Sequence, residues 1–208
     1  NKIAADPEDE DIRRVELELW KKIRTMARKG RRTGLGITAE GDMLAALGLR
    51  YGTPEATAFA VKVQKTLALE AYRASVKMAA ERGAFEIFDA RKEEKNPMIG
   101  RIREADPELY AEMVKHGRRN IAMLTIAPTG TTSLMSQTTS GIEPVFRPVY
   151  KRRRKINPSD QDAKVAFVDD MGEKFEEYNV YHHNFVKWLE ANGYDLSLIH
   201  ISEPTRPY

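Results

Sequence analysis

The sequence predicts an α/β fold in which helices predominate. Apolar residues recur at helical spacing over several long stretches, and one short run, residues 121–127, is almost wholly apolar and ends at Pro128. A run of this length and composition is typical of a strand buried on both faces, as in a parallel sheet or barrel. Pro128 ends the strand because its ring nitrogen has no proton to donate to a neighbouring strand.

Composition narrows the functional classes. The chain has 208 residues, enough for one sizeable domain or for part of a larger one. Its 34 basic and 31 acidic side chains nearly balance, so the net charge of the chain gives no reason to expect nucleic acid as a partner. Because there is no apolar run of about eighteen residues and no signal peptide, we expect a soluble cytoplasmic protein without membrane contact. The absence of cysteine excludes disulfides and thiolate metal sites.

The first predicted helix begins with Asp6 as N-cap and Pro7 as first helical residue, and it ends at Gly30. The charged residues along it are interpreted as a solvated face. Its apolar stripe is formed by Ile12, Val15, Leu19, Ile23 and Met26.

A glycine-containing segment, residues 31–36, leads into a short helix predicted around residues 41–47. Gly34 and Gly36 lack the third glycine of a nucleotide-binding loop, so we predict close packing of the backbone against a neighbour. Asp42, in the short helix, is interpreted as a local structural residue and not as a catalytic one.

The longest predicted helix begins at the N-cap signature Thr53-Pro54 and ends at Gly83. It should span about 40 Å, at about 1.5 Å per residue. Its predicted buried face is formed by Ala56, Phe59, Val63, Leu67, Ala71, Ala74 and Met78.

A charged surface loop and one more helix precede the apolar run. Residues 89–97 form the predicted loop, and the helix begins at Asp106-Pro107 and ends at Gly117. We expect Arg118 and Arg119 to be solvated, because ligands in α/β barrels collect at the carboxyl end of a strand and not at its start.

The stretch after the apolar run is the strongest candidate for chemistry. Four hydroxyl side chains lie within five residues, one glycine stands among them, and a helix pattern follows at once. Unpaired amides and partial positive charge at a helix start attract phosphate, and a glycine lets an oxygen approach the backbone. The alternative is that the hydroxyls only cap the helix. The candidate phosphate-binding residues are Thr129, Gly130, Thr131, Thr132 and Ser133.

A shaped turn follows at residues 138–144, where Gly141 allows a positive φ and Pro144 breaks any helix. Glu143 is the one carboxylate near the hydroxyls. Since an acid beside a diphosphate would repel it, we interpret Glu143 as an acceptor for backbone amides and assign no catalytic residue here.

The densest basic run is YKRRRK, residues 150–155. It is a nucleic-acid patch, a rim that attracts nucleotide phosphates or a solvated edge, and the scarcity of interleaved aromatic residues favours the last two. His182 and His183 have no third ligand at suitable spacing, so we interpret them as surface histidines and predict no metal site. The apolar side of the last predicted helix, which ends near Gly193, is formed by Phe185, Trp188 and Leu189.

Several motifs in the same order resemble one known family. Residues 127–146 read APTGTTSLMSQTTSGIEPVF, and they closely resemble the substrate-phosphate loop of the large, catalytic subunit of ribonucleotide reductases. The resemblance extends upstream through residues 31–53 and 75–85 and downstream through the basic run to about Asp195. It favours the adenosylcobalamin-dependent class, because Gly130 stands where the iron-dependent enzymes tend to carry an acidic residue.

The resemblance implies a fold and an activity. The fold is a helix-rich fragment of the ten-stranded α/β barrel of this family, with the segment 31–36 as one of its strands. The activity is the reduction of ribonucleoside diphosphates to deoxyribonucleotides by a cysteine thiyl radical, with adenosylcobalamin as cofactor and a thioredoxin-type dithiol as reductant. A chain without cysteine cannot perform this reaction alone, so we expect an internal fragment that supplies substrate placement and is inactive by itself. A homodimer of the full-length parent is an assembly that the resemblance leaves open.

Two other functions and one anomalous tail complete the interpretation. The chain could instead be a nucleic-acid-binding module using Arg152, Arg153 and Arg154, or a phosphate-binding domain of another enzyme. Residues 196–208 resemble a translated adapter from sequencing-library preparation, so we divide the chain into a barrel fragment, residues 1–195, and an artefactual tail.

Overall fold

The computed structural model describes residue 5 and residues 7–157, 159–160 and 162–195. The predicted N-cap Asp6 and the predicted tail, residues 196–208, lie outside the described residues. The chain forms two compact units, each built from two separate segments. The first unit combines Asn1–Gly36 with Thr57–Ala127, and the second combines Ile37–Ala56 with Pro128–Tyr208.

The described residues form eight helices and one three-stranded antiparallel sheet with strand order β1-β3-β2. This is a helix-rich part of an α/β fold, and the described residues do not form a closed barrel. The helices are α1 (Glu10–Gly30), α2 (Glu40–Ala46), α3 (Pro54–Arg82), α4 (Ala90–Glu93), α5 (Pro97–Ala105), α6 (Pro107–His116), α7 (Gly130–Ser136) and α8 (His183–Ala191). The strands are β1 (Val149–Lys155), β2 (Phe167–Val168) and β3 (Lys174–Tyr181).

Helix α1 begins later than predicted and leaves its apolar stripe uncovered. Asp9 is the N-cap, because its carboxylate accepts a hydrogen bond from the amide of Asp11 at 2.9 Å. The helix therefore starts at Glu10 and not at Pro7. The five stripe residues named above are 44% to 61% exposed, so the stripe is present but has no packing partner in the described chain.

Helix α3 has the predicted bounds but turns a different face to the core. Thr53 caps it by accepting a hydrogen bond from the amide of Ala56 at 3.3 Å. Two predicted core residues, Ala74 and Met78, are exposed. The reason is that the apolar side chains of α5 and α6 pack against a face of α3 that is displaced by one residue from the predicted face. Because alanines lie on several sides of α3, its sequence did not determine which side faces the core. The buried cluster is formed by Tyr72, Val76, Ile99, Ile102, Leu109, Met113 and Met123.

Arg118 is buried, contrary to the prediction that it is solvated. Its side chain is 3% exposed and forms a two-point ion pair with Glu93, in which Nη2 lies 2.6 Å from Oε1. Glu93 belongs to the predicted surface loop 89–97, which instead forms α4 and the start of α5. The guanidinium also donates to the carbonyls of Asn120 and Ile121, at 3.0 and 3.1 Å.

Aromatic rings complete the surroundings of Arg118. Its guanidinium carbon lies 5.4 to 5.8 Å from the ring centres of Tyr72, Phe85 and Phe88, within the range of cation–π attraction. Burial raises the pKa of the Tyr72 phenol above its ordinary value, and the charge of Arg118 opposes that rise. A buried cation is tolerated here because a carboxylate and two carbonyls satisfy its donors.

The predicted buried strand, residues 121–127, is extended and makes a single parallel bridge, between Leu35 and Leu124. The amide of Leu35 donates to the carbonyl of Met123 at 2.7 Å, and the amide of Thr125 donates to the carbonyl of Leu35 at 3.0 Å. The prediction of burial on both faces is wrong, because only Met123 of this run is fully buried. With one neighbouring segment in the described chain, the rest of the run stays accessible.

Close packing at the two glycines of residues 31–36 is confirmed. A Cβ on Gly36 would lie 2.0 Å from the carbonyl oxygen of Thr125, and one on Gly34 would lie 2.9 Å from the Thr125 side chain. The absence of a side chain is therefore what lets the two parallel segments approach.

The sheet of the second unit explains the basic run. Strand β1 contains the Arg and Lys residues of that run, and the facing positions of β3 include glutamates. Arg153 pairs with Glu177 at 2.7 Å and Arg154 with Glu176 at 2.6 Å, and Lys155 pairs with Glu173. The two arginine–glutamate pairs join facing residues of β1 and β3 and so favour this register.

Candidate functional site

The five predicted phosphate-binding residues lie together at the start of α7. Thr129 is the N-cap residue and Gly130 is the first helical residue. The helix has seven residues, so its macrodipole is small and the local amides and hydroxyls are the relevant donors.

The hydroxyl of Thr129 is already engaged within the protein. Its Oγ1 accepts a hydrogen bond from the amide of Gly141 at 2.9 Å and lies 3.0 Å from Oγ1 of Thr38. The hydroxyl of Thr38 donates to the carbonyl of Thr139 at 3.1 Å. We call these four residues, Thr38, Thr129, Thr139 and Gly141, the hydroxyl network.

Ser133 is also engaged. It is buried, its hydroxyl donates to the carbonyl of Gly130 at 2.8 Å, and its amide donates to the carbonyl of Thr129 at 2.8 Å. Both of its donors are therefore used inside the first turn of α7.

The remaining three residues of the loop present their donors to solvent. Gly130, Thr131 and Thr132 are exposed, and a Cβ on Gly130 would meet no atom within 4 Å. In the part of the chain that the structure describes, the hydroxyls of Thr131 and Thr132 have no partner. The amides of the first helical residues also lack partners within a helix. Residues 130–132 are thus a short, accessible row of hydrogen-bond donors.

Asp42 connects three parts of the second unit. Its Oδ2 accepts hydrogen bonds from the amide of Thr139 at 3.1 Å and from the side-chain amide of Asn184 at 2.8 Å. Its Oδ1 lies 3.3 Å from Nε2 of His182, a contact that is close in distance but outside hydrogen-bond geometry. The structural role predicted for Asp42 is therefore confirmed, but its partners are distant in sequence and not local.

His182 is not the surface residue that was predicted. Its side chain is 12% exposed, and its Nδ1 accepts a hydrogen bond from the amide of Asn184 at 3.2 Å. Because Nδ1 is an acceptor, the neutral imidazole carries its proton on Nε2, the atom that faces Asp42. Spacing along the sequence could not reveal that Asp42 meets the start of α8, since its partner there, Asn184, lies 142 residues away.

The turn after α7 matches its prediction. Gly141 has a φ of 58°, and Oε2 of Glu143 accepts a hydrogen bond from the amide of Ile142 at 3.1 Å. Glu143 is therefore an acceptor for a backbone amide, as predicted.

No site for a metal or a corrin can be assigned among the described residues. They contain no group of three or more His, Asp or Glu side chains able to hold a metal ion. A surface cleft of about 300 Å³ beside Asp11, Ile12, Val15 and Glu16 is at the lower limit even for drug-sized ligands, and a corrin is much larger. Nor does any described helix have the length and apolar character needed to cross a bilayer.

Comparisons with known proteins agree on one family. The family described as "Ribonucleotide reductase, barrel domain" matches residues 12–201 of the chain. The chain is 36% identical over 127 residues to a vitamin B12-dependent ribonucleoside-diphosphate reductase of Mycobacterium tuberculosis (strain CDC 1551 / Oshkosh), an alignment that covers 61% of the chain and 16% of that protein.

Two further relatives extend this comparison. A vitamin B12-dependent ribonucleoside-diphosphate reductase of Thermoplasma acidophilum is 29% identical over 196 residues, which is 94% of the chain and 22% of that protein. A ribonucleoside-diphosphate reductase subunit alpha of Treponema pallidum is 30% identical over 134 residues, 60% of the chain and 15% of that protein. The chain thus spans between 15% and 22% of the length of these relatives. From the family match over most of its length, the chain belongs to the ribonucleotide reductase family, and residues 12–201 correspond to its barrel domain.

Proposed function

We propose that this chain supplies the substrate-phosphate loop of a vitamin B12-dependent ribonucleoside-diphosphate reductase. The full-length enzyme converts ribonucleoside diphosphates to deoxyribonucleotides in the cytoplasm by cysteine thiyl radical chemistry, with a thioredoxin-type dithiol as reductant. The observation that supports this best is the accessible row of donors at residues 130–132, in a chain whose relatives are reductases of this kind.

The contribution of this chain to the reaction is orientation. The amides of residues 130–132 and the hydroxyls of Thr131 and Thr132 are free to donate to the oxygens of a diphosphate. The nearest acidic side chain in sequence, Glu143, has its carboxylate engaged by the amide of Ile142. Holding the diphosphate fixes where the ribose lies, and correct placement of a reactant is a major catalytic term even where the residues form no bonds.

The reacting groups come from elsewhere in the enzyme. The chain has no cysteine, so it supplies neither the thiyl radical nor the reducing thiols. Adenosylcobalamin supplies the radical when it is bound, and we assign no residue of this chain to hold it.

The structure weighs against the nucleic-acid alternative. Arg153 and Arg154 are neutralised by Glu177 and Glu176, which leaves Arg152 as the one arginine of the three without a described ion pair. A single free guanidinium is a poor substitute for the several phosphate contacts that polynucleotide binding requires.

Titration with a ribonucleoside diphosphate tests the proposal. Saturable binding to the 208-residue chain should shift the ³¹P resonances of the ligand, and Thr131→Val and Thr132→Val should each raise Kd by about 5- to 10-fold through loss of one hydrogen bond. Thr66→Val is the matched control, because it removes an exposed hydroxyl of α3 that bonds only to the carbonyl of Lys62.

The rival functions give different results. Affinity for any polynucleotide, falling steeply with salt and unaffected by the threonine variants, would favour the nucleic-acid module. A phosphate-binding domain of another enzyme would bind the diphosphate but would have no cysteine-bearing catalytic loop in its adjoining coding sequence.

A further inference from the structure

We propose that Thr38 and Asp42 are positioning residues that hold the phosphate loop, residues 129–133, in the conformation that binds a diphosphate. This inference rests on the proposed function of that loop. Neither residue belongs to the loop. Both lie in the segment Ile37–Ala56, far from the loop in sequence, and both contact the loop or the turn that follows it.

The direction of each hydrogen bond in the hydroxyl network follows from counting protons. A hydroxyl has one proton to donate. The proton of Thr38 goes to the carbonyl of Thr139, so the 3.0 Å contact between Thr38 and Thr129 must be donated by Thr129. The amide of Gly141 donates to Thr129 as well. The network therefore runs one way, from Gly141 through Thr129 and Thr38 to Thr139.

This direction changes the role expected of Thr129. Its proton is given to Thr38, so it has none left for a phosphate oxygen. Thr129 instead connects the start of α7 to the turn at Gly141, and residues 130–132 make the contacts to a diphosphate. Thr38 fixes this arrangement because it is the acceptor that orients the Thr129 hydroxyl.

Asp42 and the backbone of α2 hold the other side of the same turn. Asp42 accepts the amide of Thr139, and the amide of Glu40 donates to the carbonyl of Gly141 at 3.3 Å. Helix α2 lies so close to the turn that a Cβ on Gly41 would be 2.5 Å from the Cα of Pro144. The turn that restrains Thr129 is thus itself restrained by α2 at three points: a side chain, an amide and a close backbone contact.

Paired variants of Thr38 test the proposal in the 208-residue chain. Thr38→Val keeps the shape and removes the hydroxyl, and Thr38→Ser keeps the hydroxyl. We expect Thr38→Val to raise the Kd for a ribonucleoside diphosphate about 10-fold and to speed hydrogen exchange at the Gly141 amide. Thr38→Ser should stay within about twofold of the unsubstituted chain on both measures. Asp42→Asn should weaken binding in the same direction and speed exchange at the Thr139 amide.

The outcomes separate this inference from the proposed function. If the unsubstituted chain binds the diphosphate and Thr38→Val binds it equally well, the positioning role is overturned and the phosphate loop stands. If the unsubstituted chain shows no saturable binding, the proposed function itself fails, and the positioning role fails with it. A merely structural role for Thr38 would lower the urea midpoint and leave Kd unchanged, which would also contradict the proposal. Should Thr38→Val not fold, the pair Thr129→Val and Thr129→Ser tests the same bond from its other end, with the same expected difference.

Discussion

At the scale of single residues, Arg118 shows how much one buried side chain can organise. Its guanidinium satisfies Glu93 and two carbonyls while three aromatic rings surround it. The two carbonyls belong to Asn120 and Ile121, at the start of the extended run that leads towards the phosphate loop. Arg118 therefore fixes where that run begins.

Arg118→Met should lower the free energy of unfolding by about 3–5 kcal/mol, because it leaves the carboxylate of Glu93 without its partner in a largely buried site. Urea unfolding monitored by circular dichroism measures the change. Arg91→Met is the control, since Arg91 pairs with Asp89 at the surface with its side chain 91% exposed, and we expect no measurable change there. Equal effects in the two variants would show that the buried pair has no special importance.

Whether the environment of a single residue could be predicted depended on how far away in the sequence its partners lie. Gly141 and Glu143 were predicted correctly because a positive φ and a bond to the neighbouring amide are local properties. Arg118 and His182 were predicted to be solvated, because the carboxylates that they face, Glu93 and Asp42, lie 25 or more residues away and no periodicity marks them. The role of Thr38 was not predicted for the same reason.

At the scale of elements, the parallel contact between residues 33–35 and 122–125 depends on two glycines. Gly36→Ala would bring a Cβ to 2.0 Å from the carbonyl oxygen of Thr125, so one of the two segments must move.

We expect Gly36→Ala to lower the free energy of unfolding by about 1–3 kcal/mol, as overpacked sites do. Gly100→Ala in α5 is the matched control, because its Cβ would meet nothing within 4 Å and alanine favours a helix by about 0.5–1 kcal/mol over glycine. Chemical denaturation of both variants provides the measurement, and a loss of stability at Gly100 as large as that at Gly36 would contradict the packing argument.

Helix α6 should lose stability in acid through its N-cap. The carboxylate of Asp106 accepts the amide of Leu109 at 2.9 Å and pairs with Arg73 at 2.6 Å, and these two contacts, the amide first, hold the pKa of Asp106 below its ordinary value of 3.8. Because the pKa is lower in the folded chain than in the unfolded one, the stabilisation is fully present above the ordinary value and is lost as the pH falls through the folded value.

Asp106→Asn provides the test, since asparagine can still cap a helix but carries no charge. The difference in free energy of unfolding between the natural chain and Asp106→Asn should be constant from neutral pH to about pH 5 and should shrink below the ordinary pKa. Urea titrations at a series of pH values measure it. A difference that is independent of pH would mean that the charge of Asp106 does not contribute.

Elements were predicted best where their ends are encoded locally. The bounds of α3 and α6 follow from Thr53-Pro54, Asp106-Pro107 and the glycines that end them. The sheet was missed because β1 is a run of basic residues, a poor strand by composition. It is stabilised by glutamates of β3 that lie 22 and 24 residues away, so its pairing is a tertiary property.

At the scale of the whole chain, the exposed stripe of α1 departs from the packing expected of an amphipathic helix. Five apolar side chains on one helix, each at least 44% exposed, form the kind of surface that promotes self-association. The sequence predicted the stripe correctly from its spacing, but spacing cannot tell whether another element covers it.

Leu19→Lys should reduce self-association of the chain, measured by static light scattering, and should leave the free energy of unfolding within about 0.5 kcal/mol of its natural value. Leu109→Lys is the contrasting variant, because Leu109 is 2% exposed and a charge there should prevent folding. If Leu19→Lys destabilised the chain as strongly as Leu109→Lys, the stripe would have to be packed in solution.

The fold class was predicted in outline and not in detail. The prediction of a helix-rich α/β chain is correct. Of the expected parallel sheet, the described residues contain the single bridge between Leu35 and Leu124. A buried parallel strand needs neighbours on both sides, and only one is present among the described residues, so the buried strand inferred from residues 121–127 is reduced to one bridge.

The long-range contacts of Thr38 and Asp42 also bear on how the chain is made. Thr38 meets Thr139, 101 residues later, and Asp42 meets Asn184, 142 residues later. On a translating ribosome the segment Ile37–Ala56 therefore leaves the exit tunnel long before its partners exist. Closing such large loops delays folding, because the entropy of closure is lost before any contact forms. The loop that we propose to grip a diphosphate should accordingly be among the last parts of the nascent polypeptide to mature.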